Sequence, residues 1–505
     1  SLMFRIFGPP GTGKTTTLLN MLDSALAKGV APTSISFLAF TKKAANEAKE
    51  RASARFHLDP DKDLVYFRTL HSLALSMSGI RQEQVMDKEH YDELSKLISI
   101  PLVTRRTLDD DIAEIQSSEH PVLGLINLAR LRKVSLREQY NLTYIEHQWN
   151  TVNYMAKSYQ EYKARHELYD FTDMLQAFID ESKKSCPKFE LTFLDEAQDL
   201  SPLQWDIAHI LDANSTRMYA AGDDDQAIYR WAGADVEQFI TLEGSSETLS
   251  QSYRVPRRVH TLAERIVSRI KNRYPKQYEP RKALGNVQHI SRLEDVNLSE
   301  GQWLILAQAG YTLSPVKQVL RSSGYLYSFQ GYRSISTKIS SAVNGWEQLR
   351  KGRAVTAETV KDIYSFMSTG TQIKRGFKKL SGADDNILFT MELLQKDWGL
   401  MIGKDLIWRY ALDRLPDESR AYITAMLRRG EKFNAEPRIT VSTIHGSKGG
   451  ESQNVIIFTD VSPAADDEIR AGNDDLHRVF YVAVTRTKEN LFIVEAEDNN
   501  RSYII

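Results

Sequence analysis

The chain has 505 residues, 42% of them hydrophobic, more than one core holds; the domain-size rule points to three or four domains, and 26% charged with 10% aromatic residues excludes wholesale disorder. With 65 Lys and Arg against 66 Asp and Glu the net charge is −1, so nucleic-acid binding would have to use a local basic surface. The single cysteine, Cys186, excludes an internal disulfide and a thiolate zinc cluster and fits a reducing compartment. Apolar runs such as Val455–Phe458 fall far short of the ~20 residues that cross a bilayer, and no basic segment leads into an apolar one as in a signal peptide, so no membrane partner is expected. Ser1-Leu2 ahead of Met3 reads as a leftover of cloning, with Met3 the expected native start.

In chain order, an apolar run at Leu2–Phe7, a Gly/Pro loop and a helical stretch from Thr15 to about Lys28 read as strand, loop and helix. Apolar runs recur at Ser36–Phe40, Val65–Leu70, Leu191–Leu194 and Met218–Ala221, with helical segments between them. That rhythm predicts a parallel sheet covered on both faces. Residues 85–185 break it; they are charged and helix-like, and read as an inserted helical domain. A second set of runs begins near Thr248, includes Val287–Ile290, Trp303–Ala307 and Tyr325–Phe329, pauses over a second helical insertion at 346–436, and resumes at Ile439–Thr443, Val455–Asp460 and Leu491–Val494. The expected fold class is α/β. Two lobes, 1–84 with 186–245 and 246–345 with 437–505, each carry a parallel sheet flanked by helices and are each interrupted by a mainly helical accessory domain. No solenoid repeat or low-complexity linker is evident. Residues 251–285 hold ten Lys or Arg and two acids, net +8, either a solvated helix face or a phosphate-contacting surface.

Gly8-Pro9-Pro10-Gly11-Thr12-Gly13-Lys14-Thr15 has the spacing of a phosphate loop. Its glycines let backbone N–H groups converge on phosphate oxygens, and the following helix adds its positive end. Lys14 would reach the β- and γ-phosphates, and the Thr15 hydroxyl would ligate Mg²⁺. The run Leu191–Leu194 ends in Asp195-Glu196. At the carboxyl edge of a sheet this is the expected place for a magnesium ligand, Asp195, and a base, Glu196, that takes a proton from attacking water. Alone, a strand ending in two acids says little; with the loop at 8–15 it predicts hydrolysis of a nucleoside triphosphate.

At Asp195-Glu196-Ala197-Gln198-Asp199, followed by Gly222-Asp223-Asp224-Asp225-Gln226-Ala227-Ile228-Tyr229-Arg230-Trp231-Ala232-Gly233-Ala234, the chain resembles superfamily 1 helicases of the UvrD/Rep/PcrA type. Phe40–Ala45 resembles the family's first DNA-contact motif, Thr69–Ser72 the next, and Ser252-Tyr253-Arg254 the fourth motif. Phe329–Arg333 is a looser match to the segment after it, Thr443–Glu451 resembles the fifth motif and Tyr481–Arg486 the sixth. The resemblance implies two RecA-like P-loop lobes with ATP and Mg²⁺ held between them. It implies a motor, minimally a monomer, that moves 3′ to 5′ on single-stranded DNA and opens duplexes carrying a 3′ single-stranded tail, in the cytoplasm of a bacterial or phage-infected cell. Gly8, Gly11, Thr12, Gly13, Lys14, Thr15, Thr16, Gly449 and Glu451 would hold the nucleotide and Tyr253 would stack on its base. Gln226 would sense the γ-phosphate, and Arg254 and Arg486, supplied by lobe two, would neutralise the transferring phosphoryl group. Tyr229 and Trp231 would stack on DNA bases, with Phe40 and His71 as second-rank contacts, while Thr41, Thr443 and His445 would hold backbone phosphates. Plainer readings stand beside these: core aromatics, surface ion pairs and hydrogen-bonded histidines.

The chain departs from the family pattern in three places. No room remains ahead of Gly8 for the upstream glutamine segment that reads adenine, Thr16 stands where an arginine is common, and Arg230-Trp231-Ala232 replaces Gly-Trp-Arg. Weak discrimination between bases is therefore expected. The second insertion is shorter than the family's, and no nuclease domain is expected after the sixth motif. The tail Asn499–Tyr503 either forms a strand-separating hairpin with Tyr503 as its wedge or frays. Two other functions stay open: a translocase that strips proteins from single strands, and a nucleotide-gated DNA-binding scaffold, against which Glu196, Arg254 and Arg486 argue.

Overall fold

The computed structural model describes residues 3–102 and 120–505; Ser1-Leu2 and residues 103–119 of the first expected insertion lie outside the described residues. Two compact units form, Ser1–Ala283 with Glu468–Thr485, and Leu284–Asp467 with Arg486–Ile505.

In the first unit β1 (Phe4–Phe7), β2 (Ile35–Ala39), β3 (Phe67–Thr69), β4 (Phe189–Leu194), β5 (Ser215–Gly222) and β6 (Ser246–Thr248) make one parallel sheet in the order β3-β2-β4-β5-β1-β6. Successive strand residues point to opposite faces, and both faces here are apolar. Phe7, Leu38 and Leu194 pack with Trp205 and Phe239 on one side, while Ile6, Phe37 and Phe193 pack with Leu18 and Ala48 on the other. Double coverage is why these strands read as unbroken apolar runs. The registers Phe7↔Gly222, Leu38↔Leu194 and Ala39↔Thr69 align the carboxyl ends, so the loops after β1, β2, β4 and β5 open at one edge.

The segment 246–283 was expected in the second lobe, but it belongs to the first unit. Strand pairing explains this: β6 is the edge strand beside β1, with Arg5 opposite Ser246. The helix Asp475–Val484 belongs to this unit as well. Between β3 and β4 lie the helices Lys88–Ile98, Pro121–Arg132, Leu136–Leu142, Trp149–His166 and Phe171–Ser185, and among the described residues of 85–185 there is no strand. Most of them share a core of Tyr91, Leu94, Val122, Val152, Met155 and Tyr159.

The second unit has a sheet ordered β10-β9-β13-β8-β14-β15-β7, from β7 (Asn286–Ile290), β8 (Trp303–Ala307), β9 (Tyr327–Phe329), β10 (Tyr332–Arg333), β13 (Ile439–Thr443), β14 (Ser452–Phe458) and β15 (Thr487–Val494). All pairs are parallel except β10 with β9. The helix Thr337–Arg350 starts ahead of the expected insertion at 346–436, within which lies a short antiparallel pair, β11 (Val355–Thr356) with β12 (Leu388–Phe389). Trp346, Tyr364, Leu394, Trp408 and Met426 fill its core. No helix among the described residues is long and apolar enough to cross a membrane.

One buried charge cluster ties three helices of the first insertion together. Asp170 accepts hydrogen bonds from Tyr159 Oη at 2.7 Å, Lys163 Nζ at 3.0 Å and Arg130 Nη1 at 3.1 Å. Burial works to raise the pKa of this carboxyl, but Lys163 and Arg130, with the bonds from Asp173 N and Tyr159, outweigh it and hold the group below the usual carboxylate range. A depressed pKa contributes stability that is present above the unfolded value of ~3.9 and is lost as pH falls below it. Asp170→Asn should cost about 3 kcal/mol at pH 7, the low end for a broken buried pair because Lys163 keeps Asp173 at 2.7 Å. Urea unfolding followed by circular dichroism should find that deficit shrinking below about pH 4.

Candidate nucleotide site and nucleic-acid face

The loop after β1 is built to approach something closely. Gly11 (φ 70°) and Gly13 (φ 81°) take the left-handed backbone that only glycine adopts freely, and Gly13 leads straight into the helix Lys14–Ala27. A Cβ on Gly8 would fall 2.5 Å from Lys14 Cβ, and one on Gly11 2.4 Å from Arg254 Cβ. Thr12 closes the turn by donating to Pro9 O at 2.7 Å. Thr16 is exposed on the first helical turn.

Lys14 crosses to the end of β4. Its ammonium is hydrogen-bonded to Asp195 Oδ1 and lies 2.9 Å from Glu196 Oε1. Burial pulls the ammonium's pKa down, but the two carboxylates outweigh this and hold it above its ordinary value. Thr15 Oγ1 donates to Asp195 Oδ2 at 3.1 Å. A hydroxyl and a carboxylate converging this way are the hard oxygen donors Mg²⁺ prefers, so the residues present fit that ion.

Glu196 itself sits at φ 56°, between β4 and the 3₁₀ turn Ala197–Asp199. For a non-glycine residue this costs roughly 1–3 kcal/mol. It is part of what aims the carboxylate back at Lys14.

Gln198, in the motif Asp195–Asp199, bridges two other residues of that region. Its Nε2 donates to Glu196 Oε2 at 2.6 Å and its Oε1 accepts from Asp223 N at 3.1 Å. Asp223 Oδ2 in turn accepts from Gln226 Nε2 at 2.6 Å. Glu196 and Gln226, assigned separately from sequence, therefore belong to one hydrogen-bonded chain.

Asp223, Asp224 and Asp225 stand close enough together to suggest a metal cluster, but side chains already meet their charge. Lys276 Nζ lies 2.6 Å from Asp224 and 2.9 Å from Asp225, and Arg273 makes a two-pronged bond to Asp225 at 2.8 and 2.9 Å. Burial pushes Asp223 up to about 7 against the pull of Lys276, with Asp225 and Asp224 adding to the rise. So part of the basic segment 251–285 is turned inward, while Arg257, Arg258, Arg265, Lys271 and Lys282 remain exposed.

Ser252, Tyr253 and Arg254 pack on the phosphate loop within the first unit. Ser252 Oγ donates to Pro10 O and Tyr253 N to Gly11 O, both at 2.8 Å. Tyr253 is 73% exposed, and Arg254 Nη1 donates to Thr485 O at 3.3 Å. Arg254, expected in lobe two, instead lies in the first unit against the phosphate loop. Arg486, by contrast, falls in the second unit, where it is only 1% exposed and donates to Gly450 O at 3.1 Å.

A row of rings follows the ends of β2 and β5. Phe40 and Tyr229 lie parallel at 6.0 Å, and Tyr229 meets Trp231 at 6.1 Å. Trp231 is 46% exposed, so it is not a core aromatic. His71 sets its ring edge-on to Phe171 at 6.0 Å, and Thr41 caps the helix Lys42–Phe56 by accepting from Ala44 N at 3.1 Å. In the second unit, Thr443 Oγ1 accepts from Gly446 N at 3.2 Å at the end of β13, and His445 opens the turn that follows. Gly449 (φ 84°) is exposed, and Glu451 faces Lys488 at 3.8 Å.

Tyr503 is not the exposed wedge expected at the end of a hairpin. It is 2% exposed, its N–H bonds Thr459 O at 2.8 Å, and Ser502 bridges Asp460. A ring sealed into the core cannot serve as an exposed wedge, and the backbone here is paired, not frayed.

A glycine-cradled lysine and threonine meeting two acids at the end of a parallel strand define a P-loop nucleotide-binding protein. The UvrD/REP helicase N-terminal domain matches residues 3–247 and the UvrD-like helicase C-terminal domain residues 438–494, together more than half of the chain. The chain belongs to the UvrD/Rep/PcrA-type superfamily 1 helicases. It is 24% identical over 394 residues to "ATP-dependent DNA helicase PcrA" of Bacillus subtilis (strain 168), covering 75% of this chain and 51% of that one. To the Leuconostoc citreum protein of the same name it is 26% identical over 286 residues, 54% of this chain and 38% of that one. It thus spans about half the length, or less, of these curated relatives. A crystal structure of Arterivirus nonstructural protein 10 (helicase) aligns with 99% of this chain and 61% of its own at a TM-score of 0.35 and 12% identity, too distant to bear on the fold.

The backbone at Glu196 makes a prediction of its own. Glu196→Gly and Glu196→Ala both delete the carboxylate, but only glycine relieves the left-handed strain. Chemical denaturation should find the Gly variant more stable than the Ala variant by about 0.5–1 kcal/mol, the reverse of the order at an ordinary helical position.

Proposed function

We propose that this protein is an ATP-dependent DNA helicase and single-stranded DNA translocase that moves 3′ to 5′. The observation that carries the reading is the hydrogen-bonded chain from Lys14 through Glu196, Gln198 and Asp223 to Gln226, which leads within the same loop to the half-buried ring of Tyr229 and the exposed ring of Trp231. It joins a site for triphosphate chemistry to a face suited to stacking on bases, and stacking tolerates any sequence. Family membership and the relatives named ATP-dependent DNA helicase support the same reading.

In this mechanism Lys14 leaves its carboxylate partners for the β- and γ-phosphates. Thr15 and Asp195 would hold Mg²⁺, which would neutralise phosphate charge. Glu196 accepts the proton of the attacking water. Arg254, beside Gly11, neutralises charge that grows on the transferring phosphoryl group. Gln226 reports the γ-phosphate through Asp223 and Gln198, and Tyr229 and Trp231 hold bases. We propose residues 85–185 and the insertion from Thr337 to about 436 as the two accessory domains.

The test is an ATPase assay with and without single-stranded DNA, paired with unwinding of duplexes bearing a 3′ or a 5′ tail. Wild-type protein should be DNA-stimulated and should need the 3′ tail. Glu196→Gln should bind Mg-ATP and DNA yet turn over at least ~100-fold more slowly. Equal unwinding from 5′ tails would sink the polarity, and wild-type turnover by the Gln variant would sink the base.

Trp231→Ala should lower DNA-stimulated ATPase and single-strand affinity, the latter by about 1–3 kcal/mol per lost stack. Basal ATPase and the melting temperature should stay near wild type. A large drop in melting temperature with no DNA defect would return Trp231 to a packing role.

A further inference from the structure

The second unit carries a cleft that none of the chemistry above uses. It lies at the carboxyl edge of β7, β14 and β15, beside the start of the helix Leu313–Ser322, and its volume of about 470 Å³ falls in the range of ligand sites. Leu293, Val316, Val319, Phe458 and Val494 give it an apolar floor. Four acids line it, Glu294, Asp460, Glu495 and Glu497, against one cationic side chain, Arg292. Glu495 is paired with His289 at 2.8 Å. Among the described residues, no cationic side chain lies within ion-pair distance of Glu294, Asp460 or Glu497. Burial, and then the charges of Glu497 and Asp498, hold the Asp460 carboxyl above its usual range against the pull of its own backbone N–H. Thr312 Oγ1, also in the lining, is buried with no hydrogen-bond partner among the described residues.

We propose that this cleft docks a basic, amphipathic peptide segment of a partner protein. An apolar floor takes aliphatic side chains, and crowded, unneutralised carboxylates at its rim take lysine or arginine. The same rim disfavours nucleic acid, because phosphates would meet like charge. A purely apolar ligand would cover carboxylates without pairing them, which is costly. A segment alternating aliphatic and cationic residues satisfies both surfaces, and a backbone amide or carbonyl of that segment would meet Thr312 Oγ1. The carboxyl edge of a parallel sheet is also where α/β folds commonly bind ligands.

Charge crowding gives the test two independent readouts. The charge of Glu497 works against Asp460 in the free protein, so the triple variant Glu294→Gln, Asp460→Asn, Glu497→Gln should be at least as stable to urea as wild type. The same variant should lose peptide affinity. The probe is a fluorescein-labelled decapeptide of alternating leucine and lysine, read by fluorescence anisotropy, beside versions with serine for leucine and with glutamate for lysine. Wild-type protein should bind the leucine–lysine peptide at least about tenfold more tightly than either control peptide and at least about tenfold more tightly than the triple variant does, a difference of ~1.4 kcal/mol. Should the triple variant not fold, the exposed Glu497→Gln alone should weaken binding about threefold. The proposal is overturned if wild type fails to bind the probe up to about 1 mM, if the serine peptide binds equally well, or if neutralising the rim leaves affinity unchanged.

Discussion

A buried ammonium needs anions, and the arrangement of the first unit follows from meeting that need at one point. Lys14 is held above its ordinary pKa by Asp195 and Glu196, which lie at the end of a different strand. The pairing works only if the end of β1 and the end of β4 reach the same height. The sheet secures this through β5, which pairs with both: Phe7 stands opposite Gly222 and Leu194 opposite Ala220. Buried charges of this kind add little net stability but impose geometry, because leaving either partner alone in the interior is costly. The loop glycines, the left-handed Glu196 and the Gln198 link all serve the same small volume.

The same rule governs the charge beneath the ring row. Asp223, Asp224 and Asp225 would be untenable without Lys276 and Arg273, which come from a segment about 50 positions later in the chain. That segment is bound to the first unit on two sides. Its start is stapled to the phosphate loop through Ser252 and Tyr253, and its end supplies counterions to the Gln226 turn. The proposed coupling of nucleotide chemistry to DNA contact therefore rests on a compact polar core and needs no long-range signal.

The two units use charge in opposite ways. In the first, acids are drawn in and neutralised by lysine and arginine. In the cleft of the second, Glu294, Asp460 and Glu497 line one cavity with no cationic side chain at ion-pair distance among the described residues. A net charge of −1 over the whole chain hides both arrangements. What matters to a partner is the local field, which falls off within about 8–10 Å at ordinary salt.

The amino-acid sequence by itself determined most of the strands and pointed to the proposed chemistry. Apolar runs fell on the strands because a doubly covered parallel sheet demands continuous hydrophobicity. The glycine spacing and the strand-end acids marked the candidate nucleotide site because those features are local: each needs only a few neighbouring residues to be recognisable. Tertiary structure alone decided what depended on distant partners. Ser246–Thr248 joined the first sheet because strand pairing with β1, not chain order, sets membership. Arg254 came to the phosphate loop because of where Ser252 and Tyr253 bond. Gln198 acquired its bridging place from two contacts, one of them 25 positions away. Tyr503 went into the core because Thr459 offered its carbonyl to the last turn of the chain. Hydrophobic period and motif spacing are one-dimensional signals, whereas the pairing of a buried charge or an edge strand is settled only by what else reaches that place.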